Sequence, residues 1–167
     1  TAGRADIAVS AIYITPERQQ VVNFTQPYLA GGLVALVKEG NSTINSAEDL
    51  KGKKISVQTG TKSVEWLHTH IPDAQTVEVE KNQQMFNLVS IGRVDAAVTG
   101  KPAAFQYART RGGVKILPGS LTSEEYGIAV RKDEAALVGE MNDALKQLKA
   151  DGSYQQLVDK WFPNPVK

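Results

Sequence analysis

A two-lobed α/β fold is what the sequence predicts, and three observations predict it. Strand-like and helix-like segments alternate along almost all of the 167 residues, the pattern of sheets flanked by helices. Two strand-to-helix corners, Ser10 to Glu17 and Gln58 to Ser63, carry polar residues at the end of a strand, where open α/β sheets bind ligands. A short segment also occurs twice. GRADIAVSA at Gly3 to Ala11 and GRVDAAVTG at Gly92 to Gly100 share five of nine positions, and Ser10 matched to Thr99 makes a sixth. The offset, 92 − 3 = 89 residues, is too long for a solenoid, whose periods run at roughly 20 to 50 residues. It fits one copy per lobe, although short apolar strand segments also resemble one another by chance.

Taken in order, Asp6 to Ile12 is a short apolar run rich in β-branched residues and reads as a buried strand of a parallel sheet. Thr15 is a good N-cap, Pro16 suits the first helical position, and Glu17 suits the positive helix end. Arg18 then falls in the first helical turn, near the strand's carboxyl end, a place suited to a carboxylate. On spacing alone it reads equally as a solvated surface arginine. Ala30, Gly31 and Gly32 make a hinge-like passage into the strand Leu33 to Val37. Ser46 caps a short helix through Leu50, and Lys54 to Gln58 is the next strand. The turn Thr59-Gly60-Thr61 leads into a helix over Ser63 to His70, repeating the corner at Arg18. A strand over Thr76 to Val79, a helix over Gln83 to Ile91 closed by Gly92, a strand over Asp95 to Thr99 and a helix over Pro102 to Arg109 follow. Val114 to Leu117 and Tyr126 to Arg131 are strands. Two helices end the chain, broken at Gly152, with Tyr154, Trp161 and Phe162 read as core aromatics.

Composition bounds the partners. A net charge of +1 and the lack of any basic run give no footing for nucleic-acid or anionic-membrane binding. No apolar stretch approaches the roughly 20 residues a bilayer-spanning helix needs. Zero cysteines exclude disulfides and thiolate metal sites. An exported protein would carry its signal ahead of this numbering.

Five separated motifs then resemble one family. They are S-x-x-x-I-T-P-E-R-x-x-x-V-x-F-T-x-P-Y from Ser10, D-L-K-G-K-K-I-S-V-Q-T-G-T from Asp49, G-R-V-D-A-A-V from Gly92, Y-G-I-A-V-R-K-D from Tyr126 and D-G-S-Y-x-x-L-x-x-K-W-F from Asp151. In this order they resemble the extracellular solute-binding proteins of polar amino-acid ABC importers, the type II bilobed periplasmic class. The resemblance implies mixed sheets flanked by helices. It also implies a complete lobe over 33–127 and a discontinuous lobe from 1–32 plus 128–167. Family members carry two further strand and helix segments ahead of the first Gly-Arg motif, roughly 60 residues at about 30 per βαβ unit. The first lobe is therefore expected to be incomplete in this chain, or completed by a partner strand or a swapped copy. The resemblance further implies a periplasmic or extracellular location, an ABC permease as partner and no cofactor.

The ligand is implied to be a small carboxylate-bearing solute, an amino acid or derivative, held between the lobes. Arg18 matches the family's clamp on the ligand α-carboxylate, and a bidentate guanidinium suits it. Thr61 matches the second lobe's contact to the same group, and Lys62 follows at a position that offers its main chain. Gln58 occupies a position that reads the ligand side chain. Ala11 and Tyr13 stand where the family bonds the α-amino group. Thr99 ends the second repeat strand, and Gly100 after it departs from the family, which has an aspartate there to pair the ligand ammonium. Losing such a charge-assisted hydrogen bond costs about 1.5 to 3 kcal/mol, or about 10- to 100-fold in affinity. Either the ligand lacks a free ammonium, another acid serves it, or binding is weak. Asp95 reads as structural.

Other chemistry is thinner. His68 and His70 lie two apart on a helix and point to different faces, which disfavours a shared metal. Ser63 near His68 has no acid to orient a base, and Thr59 to Ser63 lacks the spacing of a phosphate loop. The competing class is an enzyme on the same scaffold, such as a dehydratase. It needs a proton donor in the cleft, where this chain has Gly100.

Overall fold

The computed structural model describes residues 4–163. Nine strands and six α-helices divide into two compact units, residues 4–31 with 123–163 and residues 32–122. The chain leaves the first unit at Gly31 and returns to it at Ser123. This return comes five residues ahead of the position expected from sequence. Strand β9 (Glu125–Val130) lies wholly in the first unit because its hydrogen-bonding partners there are β1 (Ile7–Tyr13), β2 (Asn23–Phe24) and β3 (Leu29–Ala30).

The first unit is built on β9. All its strand pairs are antiparallel, so the expected parallel pairing of the first strand is corrected. A short apolar run specifies a strand but not its neighbour. Nor is β1 buried: Ile7 is 40% and Val9 54% exposed. Helix α1 (Pro16–Val21) starts as read, with Thr15 Oγ accepting the Arg18 N–H at 3.3 Å. Buried Thr25 exchanges two bonds with Ile128: its N–H donates to the Ile128 carbonyl and its hydroxyl oxygen accepts the Ile128 N–H. Gly31 and Gly127 are packing glycines, since a Cβ at Gly31 would lie 2.5 Å from the Tyr126 ring and one at Gly127 2.8 Å from Ile14. Helix α5 (Ala135–Ala150) packs on β2 and β9, and α6 (Ser153–Trp161) on α5 after the Gly152 break. Neither helix has a fully buried residue, and Trp161 is 48% exposed. The reading of the terminal aromatics as core is thereby corrected: helical spacing marks an apolar face, but covering that face takes a second surface.

The second unit carries a mixed five-stranded sheet in the order β6-β5-β7-β4-β8. Strands β5 (Lys54–Gln58), β6 (Gln75–Val79) and β7 (Ala96–Gly100) run parallel. Strand β4 (Leu33–Lys38) pairs antiparallel with β7 and with β8 (Val114–Ile116). Helices α2 (Lys62–His70), α3 (Asn82–Ser90) and α4 (Lys101–Arg111) connect them. Leu36, Val37, Ile55, Val57, Leu67, Val89 and Val98 are fully buried, as near-continuous apolar runs in parallel strands require. The one hydroxyl among the buried residues of β5, Ser56, is satisfied by donating to the Met85 carbonyl at 3.1 Å. Gly92, at φ 74°, closes α3 as expected.

Asp95 joins two parallel strands at their starts. Its carboxylate accepts the Lys54 N–H at 2.8 Å and its own N–H donates to the Lys54 carbonyl at 2.8 Å. Asp95→Ala is expected to cost about 1 kcal/mol in urea unfolding, one exposed hydrogen bond's worth. The short helix expected from Ser46 is a single 3-10 turn over Glu48–Leu50. Asp49 organises it from within, its carboxylate accepting the Asn45 and Ser46 N–H groups and the Ser46 hydroxyl. The Asn45 N–H, with the Ser46 groups after it, holds the Asp49 carboxyl below its ordinary 3.8. A carboxyl lowered by folding stabilises above its unfolded pKa and ceases to do so as pH falls through the folded one. The thermal midpoint of the native chain should therefore exceed that of Asp49→Asn at neutral pH, and the gap should close as pH falls below 3.8.

Candidate functional site

The first group of candidate residues sits on the β1-to-α1 corner of the first unit. Arg18 is exposed, and its Nη1 donates to the Tyr13 carbonyl at 2.9 Å. This bond ties the guanidinium to the end of β1. Its remaining donors make no hydrogen bond among the described residues, so the fork geometry that matches a carboxylate is open. The Glu17 carboxyl beside it is held below its usual range, first by its own backbone N–H, then by the Thr15 hydroxyl and the Arg18 charge. Tyr13 is half-buried and stacks on Tyr126, with ring centroids 4.9 Å apart and planes 14° from parallel. The Tyr126 hydroxyl donates to the Tyr13 hydroxyl at 3.4 Å.

Ala11 has a backbone that sequence did not signal. Its φ is 48°, which no other non-glycine residue among those described shares in sign. The register shows why. Ala8 pairs with Ala129 and Ile12 with Gly127, so Val9, Ser10 and Ala11 together oppose Ile128 alone. Two extra residues bulge from the ladder, and a left-handed alanine costs roughly 1 to 2 kcal/mol. The Ala11 N–H is not orphaned by the bulge, because it donates to the Tyr28 hydroxyl at 3.2 Å.

The second group sits at the carboxyl ends of inner strands of the second unit's sheet. Strands β5 and β7 are parallel neighbours with Ile55 beside Ala96 and Ser56 beside Ala97; continuing that offset sets Gln58 level with Thr99. Gln58, Thr61, Lys62, Thr99 and Gly100 are thus gathered at the carboxyl ends of two adjacent strands, where this architecture binds ligands. Gln58 is held from β6's end, its Nε2 donating to the Glu80 carbonyl at 3.0 Å. Thr61 is the N-cap residue of α2, yet its hydroxyl donates back to the Gln58 carbonyl at 2.7 Å and makes no cap bond. Lys62 is exposed at the first helical position, and Thr99 is buried at 7% exposure. Gly100 is the N-cap of α4, with φ −64° and ψ 140°.

The His70 ring stacks on Trp66 with centroids 4.9 Å apart. Among the described residues no three His, Cys, Asp or Glu side chains are grouped to hold a metal ion. No helix among them is long and apolar enough to cross a membrane. Sequence reading missed Tyr28 and Tyr126, which brace Ala11 and Tyr13. A tyrosine straight after Pro27 and one opening the YGIAV strand were the visible signals.

Comparison with known proteins adds what geometry alone does not. The chain is 34% identical over 161 residues to the L-cystine-binding protein TcyJ of Escherichia coli K12, covering 95% of this chain and 60% of that protein. It is 34% identical over 163 residues to ABC transporter arginine-binding protein 1 of the same strain, covering 95% and 66%. It spans, then, less than two thirds of the length of these relatives. Among solved structures, an ancestral cationic amino-acid solute-binding protein matches with a TM-score of 0.87 at 40% identity, over 96% of this chain and 70% of that one. Residues 1–164 match the family described as bacterial extracellular solute-binding proteins, family 3, and this chain belongs to that family.

Proposed function

We propose that the protein to which this chain belongs is the solute receptor of an ABC importer, and that this chain binds a small carboxylate-bearing solute, an amino acid or a derivative. The observation that carries the reading is Arg18. It is an exposed guanidinium anchored by a single bond to the Tyr13 carbonyl and positioned by the Thr15 cap, with its fork open to an anion. The polar residues Gln58, Thr61, Lys62 and Thr99, with Gly100, gather in a second corner of the same build, which supports them as further ligand contacts. Relatives named for cystine and arginine place amino acids first among solutes to test. The partner is the importer's permease, the location periplasmic or extracellular. A strand-completing partner chain belongs to this reading too: β1 is the outer strand of its sheet among the described residues. Dehydratase chemistry fits less well, because glycine at position 100 supplies no proton.

The test is a thermal-shift titration with L-arginine, L-glutamine, L-cystine and their deaminated carboxylate analogues. A solute at 100 times its Kd stabilises by about 2.7 kcal/mol. Stabilisation by carboxylates lacking the amine supports Arg18 as anchor and accounts for Gly100. Stabilisation by amino acids alone means another acid replaces the family aspartate. A flat response to the whole panel overturns the reading for this chain.

A further inference from the structure

We infer that Tyr28 is a positioning residue: its hydroxyl holds the β1 bulge in the left-handed conformation at Ala11 that presents this stretch to the solute. The inference rests on the solute-binding reading above. Its carriers are the φ of 48° at Ala11, the two-residue excess of β1 over β9 and the 3.2 Å bond from the Ala11 N–H to the Tyr28 hydroxyl.

The topology makes this bond a deliberate reach. Tyr126 pairs with Tyr13 of β1 and also with Leu29 of β3. A strand residue has one neighbour on each side, so β1 and β3 flank opposite edges of β9. Tyr28 precedes β3, and its own N–H is fixed by donating to the Tyr126 carbonyl at 2.9 Å. Its side chain therefore spans from one edge of β9 to the bulge on the other. A bulge that carries a strained residue needs something to over-determine it, and such strain gathers at binding sites. The Ala11 amide donates to this hydroxyl. The bulge in turn lies two residues ahead of Tyr13, whose carbonyl anchors Arg18. A relaxed bulge would move the β1 segment that leads to the Arg18 anchor.

Three variants test this: Tyr28→Phe, Ala11→Gly and the pair together. Phenylalanine keeps the ring and removes only the acceptor. Glycine adopts positive φ without cost, so it should remove the need for the brace. In the free protein, amide hydrogen exchange at residue 11 should quicken about tenfold in Tyr28→Phe, in line with a lost hydrogen bond. Calorimetric titration with the solute of the thermal-shift panel that stabilises the wild-type chain most should show Tyr28→Phe weakening binding about five- to tenfold, and this loss should shrink when position 11 is glycine. A purely structural role for the ring would not produce that rescue. Unchanged exchange at residue 11 in Tyr28→Phe overturns the inference, as does an equal affinity loss in the alanine and glycine backgrounds. A wild-type chain that binds no solute of that panel overturns the role in presenting solute together with the solute-binding reading. The exchange rates still decide independently whether Tyr28 holds Ala11.

Discussion

Arg18→Ala is expected to lower affinity for the bound solute by at least about 100-fold while leaving the free protein's unfolding midpoint almost unchanged. The affinity follows from removing two charge-assisted bonds of a bidentate clamp, each worth about 1.5 to 3 kcal/mol. The stability follows from the surroundings: the side chain is exposed and contributes one bond, to the Tyr13 carbonyl, and surface substitutions of this kind stay within about 0.5 kcal/mol. Arg18→Lys should recover only part of the loss, because an ammonium keeps the charge but not the fork. Calorimetric titration beside a thermal melt measures both. Unchanged affinity in the alanine variant would sink the assignment of the anchor.

Gly32→Ala carries the largest expected effect on stability, about 3 kcal/mol or more. Two costs coincide there. The φ of 114° belongs to a region that is essentially glycine's own, and a Cβ would lie 2.3 Å from the Thr122 carbonyl oxygen. That oxygen is backbone and cannot swing aside. The neighbourhood is pinned as well, since the Gly32 carbonyl accepts the Lys101 N–H at 3.0 Å and the Thr122 hydroxyl oxygen accepts the Leu33 N–H at 2.8 Å. Gly40→Ala is the control, with φ 82° and nothing within 4 Å of the new methyl. It should cost only the conformational part, about 1 to 2 kcal/mol. Each unit has one tryptophan, Trp161 in the first and Trp66 in the second. Urea unfolding followed by Trp66 fluorescence in a Trp161→Phe background therefore reads the affected unit. Equal costs for the two alanine variants would show that the Thr122 contact yields.

The kind of most elements was legible because the residues that start and stop elements act locally; the two-residue strands β2 and β3 carried no such mark, and Ser46 marked a short helix where Glu48–Leu50 is a 3-10 turn. Thr15-Pro16 opened α1, Gly92 closed α3 and Gly152 split α5 from α6, each through chemistry contained within a few residues. Pairing was not legible for β1, since an apolar run of seven residues bonds equally well to a parallel or an antiparallel neighbour. Burial misled in the same place: Ile7 and Val9 have core composition, yet they are exposed. Within the candidate site, the corner at Arg18 and the gathering at Gln58 and Thr99 could be read from strand ends. The bulge at Ala11 could not. Positive φ is signalled by glycine, and alanine carries no such mark. The reach of Tyr28 across β9 depends on strand order, which no local pattern encodes.

On the solute-binding reading, Gly100 separates ligand chemistry from backbone conformation. Its backbone, at φ −64° and ψ 140°, lies in extended space that every L-residue adopts without strain, unlike the backbone at Gly32. Glycine is thus not demanded by backbone conformation at this helix cap. Aspartate is favoured at such caps by a few tenths of a kcal/mol over glycine. An aspartate at this strand end would add a charge on a backbone that already has a conformation open to any L-residue. On the solute-binding reading proposed above, solute preference can change at this position without a change of backbone conformation.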